Sequence, residues 1–153
     1  MKYLGIRLSN SDFSFAILEG SRNSPKVSGS KTLLLPKNYC ISDKLDWLLK
    51  ELECLMKTNS IKGVVVKRTE TMVKRSNNLE SRIKLEAMPY LAAKNCGIKN
   101  ITEKVKPTIA KDLGLKGKSK YLSTKLDTTI IRDFHKKTPK IQDAILAAWT
   151  LLK

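Results

Sequence analysis

Cations dominate the chemistry-bearing residues of this chain. There are 30 Lys and Arg against 14 Asp and Glu, a formal charge of +16. A surplus of that size opposes compaction by self-repulsion and favours a polyanionic partner. The cations are also clustered. Residues 94–140 hold 13 Lys and Arg against Glu103, Asp112, Asp127 and Asp133, and residues 62–84 hold seven against Glu70 and Glu80. Lys116, Lys118 and Lys120 sit in a Gly-Lys stretch, a setting suited to phosphate contacts that position a nucleic acid without reading its sequence. Lys predominates over Arg and aromatics are few, which argues against base stacking on single strands. The composition points to duplex or branched nucleic acid held by shape and backbone, with an acidic protein as the other polyanion class.

Nucleophilic catalysis finds no support in the pattern. His135 is the only histidine and follows Phe134 in a basic stretch, no Cys-His or Ser-His-Asp spacing occurs, and the glycines form no phosphate-binding loop. Cys40, Cys54 and Cys96 are odd in number and too widely spaced for a zinc site, so free thiols in a reducing cytoplasm are expected. Arg7 and the polar turn from Ser9 interrupt any signal-peptide core. No apolar run approaches the roughly 20 residues of a membrane-spanning helix, so the expectation is a cytoplasmic, soluble protein with no membrane partner.

The elements that must position these residues begin with a hairpin. Tyr3, Leu4, Ile6 and Leu8 form one apolar run, Ser9 to Asp12 supply turn chemistry, and Phe13, Phe15, Ile17 and Leu18 form a second. A third strand is expected over Val27–Leu35. Ser42 is placed to cap a helix with Asp43 and Asp46 in its first turn, and Leu45, Leu48, Leu49, Leu52, Leu55 and Met56 mark its apolar face up to Lys57–Asn59. Gly63 to Val66 reads as a strand buried on both faces, hence central and parallel. Lys67 to Asn78, with Arg68, Lys74 and Arg75, reads as a loop at that strand's carboxyl end, where open α/β sheets bind ligands. A second helix is expected over 79–91, kinked at Pro89 and closed by Cys96-Gly97. A fifth strand is expected over 98–105, then helices over 107–113 and 119–135, the last with Leu122, Leu126, Ile130 and Phe134 as its stripe. Thr138-Pro139 opens a final helix with Ile141, Ile145, Ala148 and Leu152 buried. Length and patterning give one domain over 1–153.

Three strands followed by alternating helices and strands is the element order of the ribonuclease H-like fold, an α/β five-stranded mixed sheet flanked by helices. Local motifs resemble the RuvC branch of that superfamily: L-G-I-R-L at the start, G-V-V-V-K in the fourth strand, V-K-P-T-I-A-K-D-L-G-L-K-G-K-S after the fifth, and I-Q-D-A-I-L-A-A-W at the close. The chain also resembles the domain of unknown function 3010 family in G-I-R-L, V-V-V-K-R-T-E and R-I-K-L-E-A. RuvC-like nucleases use two divalent ions bridged by carboxylates. The resemblance places the first-strand carboxylate at Arg7, the fourth-strand one at Lys67, and the first acidic position of the last helix at Lys140, and only Asp143 keeps its match.

The leading expectation is therefore a RuvC-like pseudoenzyme that binds nucleic acid without a cofactor. In it Arg7, Lys67, Arg68 and Lys140 contact phosphate where metals would otherwise lie, or Arg7 and Asp143 form an ion pair. The alternative is a Mg2+- or Mn2+-dependent nuclease with a shifted carboxylate set, Asp12, Glu70 and Asp143, with Glu86 nearby. A homodimer is what the resemblance implies. A structural subunit would show a large apolar patch around Trp47, Tyr90 or Trp149.

Overall fold

The structure is a computed structural model and describes residues 1–70, 74, 76–115 and 125–153. Strands β1 (Lys2–Leu8), β2 (Asp12–Ser21) and β3 (Ser24–Leu34) form an antiparallel meander. Helix α1 (Ile41–Thr58) leads to β4 (Ile61–Lys67), which pairs parallel with β1. Helices α2 (Asn77–Glu86) and α3 (Met88–Asn95) precede β5 (Ile101–Lys104), parallel to β4. Helices α4 (Lys106–Asp112) and α5 (Pro139–Trp149) complete the described elements. The sheet order is β3-β2-β1-β4-β5, so the hairpin's first strand is central, as expected.

Alternation along the strands feeds two cores. Leu4, Ile6 and Leu8 of β1, Phe13, Phe15 and Ile17 of β2, and Val64 and Val66 of β4 face α1 and α3. Ala16, Leu18 and Val65 face the other way, against α4 and α5. Gly63 to Val66 is buried on both faces because both layers cover it. Thr138 caps α5 by accepting from Ile141 N, and Pro139 occupies its first turn.

The tightest approach is between α5 and β1. A Cβ added at Gly5 would run into the carbonyl of Ala144 and come within 2.9 Å of Ala148 N. Glycine in the strand and alanines in the helix let the two backbones meet with no side chain between them.

Several expectations need correction. The kinked helix over 79–91 is two helices, with Pro89 in the first turn of α3, where its missing N–H costs nothing. The cap of α1 is Cys40, without a side-chain bond, rather than Ser42. β5 is shorter than 98–105. Of the helix expected over 119–135, residues 116–124 lie outside the described residues, with Lys116, Lys118, Lys120 and Leu122. Lys125 is helical, and residues 126–135 are turns and bends that end in a single 3₁₀ turn at Phe134–Lys136. There Asp127 Oδ1 accepts from Thr129 N at 3.1 Å, a local bond that competes with helix, and Asp133 takes a φ of 56°. Ile131 and Phe134 anchor this segment to the core while Ile130 stays exposed.

Gly5→Ala is expected to lower unfolding stability by about 3 kcal/mol through overpacking of α5 on β1. Gly29→Ala, whose Cβ would meet Ile17 Cδ1 at 3.6 Å, should cost far less. Chemical denaturation of the two variants checks the contrast, and equal effects would count against the contact.

Candidate nucleic-acid interface

The carboxyl ends of β1 and β4 and the start of α5 meet in one cluster. Arg7 and Lys67 are register neighbours on the parallel pair, so both side chains project to the α5 face. Arg7 Nη1 donates to Asp143 Oδ2 at 2.5 Å, with the two side chains 21% and 14% exposed. The structure thus contains the Arg7–Asp143 ion pair. Lys140 Nζ donates to Asp12 Oδ2 at 2.5 Å. Lys67, 3% exposed, donates to Glu70 Oε1 at 2.8 Å. Three cations meet three carboxylates, and the cluster is internally balanced.

Burial pushes the Lys67 ammonium below its ordinary value, Glu70 pulls it back, and neighbouring Arg7 pushes it down again. Burial alone would raise the Glu70 carboxyl, but bonds from Lys67 and the Lys106 backbone N–H outweigh it and the net shift is downward. Asp12 Oδ1 and Arg7 Nε are buried without a hydrogen-bond partner among the described residues.

Along α5 and the residue before its cap, one polar side chain per turn reaches one strand. Lys137 Nζ donates to Ser30 Oγ of β3 at 3.2 Å, Lys140 reaches Asp12 of β2, and Asp143 reaches Arg7 of β1. The spacing 137, 140, 143 is visible in the sequence, but the strand each residue meets is not. Lys104 of β5 continues the seam, bonding Thr150 Oγ1 at 2.8 Å and Asp112 Oδ2 at 2.8 Å. Sequence reasoning missed Lys104 and Lys137.

The remaining expected residues scatter. Arg68 pairs with Glu103 at 2.7 Å, and Glu103 also accepts from Tyr90 at 3.0 Å. Burial and that bond push the Tyr90 hydroxyl up to about 12. Glu86 faces away from the cluster, accepting from Thr69 N and Oγ1 and from Arg82. Lys74 is exposed, and Arg75 lies outside the described residues. His135 Nε2 shares a 3.0 Å bond with Thr128 Oγ1. Trp149 is buried and Trp47 packs on Phe13, so no apolar patch forms around them, whereas Ile83, Tyr90 and Leu91 are exposed on α2 and α3.

No family model and no curated protein matches the sequence. Solved structures do match. Thermus thermophilus RuvC superposes with a TM-score of 0.81 at 12% identity, over 98% of this chain and 92% of that one. The fold is RuvC-like. RuvC from the same organism in complex with a Holliday junction substrate gives 0.76 at 12% identity, over 98% and 91%. The yeast mitochondrial Holliday junction resolvase Ydc2 gives 0.65 at 14% identity, over 97% and 77%.

A RuvC-like scaffold raises the question of divalent ions, and the donor set here does not fit them. Asp12, Glu70 and Asp143 each already bond an ammonium or guanidinium, and among the described residues no three Asp, Glu, His or Cys side chains converge. Three fixed cations within the cluster oppose a divalent ion at short range.

The depressed Lys67 ammonium has a measurable consequence. Its folded value lies below the ordinary 10.5, so the unfolded chain binds more protons between the two values and stability rises with pH through that window. Lys67→Met removes this titration. Within the window, wild type is expected to gain on Lys67→Met as pH rises, with a slope no steeper than about 1.4 kcal/mol per pH unit, as read from denaturation series at rising pH. A pH-independent difference would contradict the buried-ammonium account.

Proposed function

We propose that this protein binds duplex or branched nucleic acid through backbone phosphates and does not cut it. The observation that carries the reading is the paired cluster. At the strand ends and helix start where a two-metal nuclease needs free carboxylates, the chain has Arg7, Lys67 and Lys140, each bonded to a remaining acid. The net charge of +16 and a fold similar to that of RuvC in complex with a Holliday junction substrate support nucleic acid as the partner.

Within this reading the residues divide their labour. Arg7 and Lys67 are held by their acids and keep α5 and β4 in place. Lys140, paired with Asp12 but 38% exposed, and the exposed Lys74 after β4 are the cations of this region that a phosphate can reach. Exposed Ile83, Tyr90 and Leu91 on α2 and α3 support a reading in which a second copy of the chain packs there.

Binding of labelled duplex and four-way junction DNA and RNA across a salt series tests the reading. For roughly six phosphate contacts, affinity should fall about a thousandfold between about 50 and 200 mM salt. Binding that ignores salt, or none at low salt, would overturn it.

A further inference from the structure

We propose a second phosphate-binding track, which leaves the paired cluster across β3 and ends in a groove between that edge strand and residues 130–137. The inference rests on the reading above and extends it to a surface outside the RuvC-like site. The groove encloses about 610 Å³ and is walled by Ser24, Lys26, Ser28 and Ser30 of β3 and by Arg132 and Lys137 opposite. It is roomy enough for a stretch of phosphodiester backbone rather than a single ion.

Charge selects the occupant. Among the described residues, the carboxylates paired or in register with Lys26, Arg132 and Lys136 are Asp133 and Glu19, the latter directly across from Lys26 on β2. Asp133 is overmatched: a bond from Lys136, with the charges of Lys136, Arg132 and Lys137, holds its carboxyl below the usual range. Arg132 is 97% exposed, and its pair with Asp133 is a loose 3.6 Å contact in solvent, so its guanidinium can reach an incoming anion. Ammonium, guanidinium and hydroxyl donors along one strand are the set that contacts phosphate and sugar oxygens. β3 is the outer strand of the sheet, so its outward backbone N–H groups add donors that no neighbouring strand uses.

Continuity with the cluster comes from Lys137. Its Nζ is held by Ser30 Oγ at the mouth of the groove, one helical turn before Lys140, which holds Asp12. A strand passing Lys140 therefore meets Lys137 next, then the groove with Lys26 and Arg132.

The test is the salt dependence of duplex and junction binding for Lys26→Gln/Arg132→Gln, both exposed, against wild type. Lys50→Gln/Lys57→Gln, exposed on α1 at the opposite face of the sheet, serves as the comparison. Loss of two phosphate contacts should reduce the slope of log K against log salt by about two in the first variant and leave it unchanged in the second. Wild-type binding with the same slope in the groove variant, or an equal reduction in both variants, would overturn the track while leaving nucleic-acid binding intact. Absence of wild-type binding would overturn both.

Discussion

The contact of Gly5 with the backbone of α5 sets the rest of the structure. With no Cβ on the strand, Ala144 and Ala148 lie flush on β1, and the helix crosses the sheet at a depth no larger pair of residues would permit. That depth carries the first turns of α5 onto the strand ends, so Asp143 meets Arg7 and Lys140 meets Asp12. It also closes the α5 face over Lys67, and a buried ammonium then requires the acid supplied by Glu70.

Ion pairs of this kind do not stabilise a fold simply by existing. Desolvation of each charge offsets much of the Coulomb attraction, and breaking one pair leaves an uncompensated charge. Their effect here is positional: they fix where α5 begins and which strand end each cation occupies. On the proposed reading, the same arithmetic sets this cluster apart from a two-metal site. Divalent ions need carboxylate oxygens without competing cations, whereas these oxygens already have monovalent partners of fixed position. The charge balance that metals would provide is built into the chain, and net positive potential comes from the cations around the cluster.

Much of the frame was legible in the sequence. The alternating runs from Tyr3 to Leu18, the unbroken apolar Val64–Val66 and the Thr138-Pro139 start gave the central strands and the last helix, because local chemistry and tertiary burial agree there. Arg7 and Asp143 were legible as a pair, since both fell on site positions of the resemblance. Lys140 with Asp12 was not, because no motif joined them and only the crossing of α5 over β2 brings them together. Pro89 misled because a proline suits a helix start as well as a kink. The four-residue spacing of Leu126, Ile130 and Phe134 misled because local bonds at Asp127 and Thr128 hold that segment in turns, with burial at Ile131 instead of Ile130.

The paired cluster is proposed to take the place of a metal site on a RuvC-like scaffold. The most direct test is incubation of bound four-way junction and duplex with Mg2+ or Mn2+, followed by denaturing gel analysis of the strands. Intact strands are expected, in complexes that form equally well with and without metal. Metal-dependent cleavage that Asp143→Asn abolishes would contradict it, and would return Asp12, Glu70 and Asp143 to the role of metal ligands.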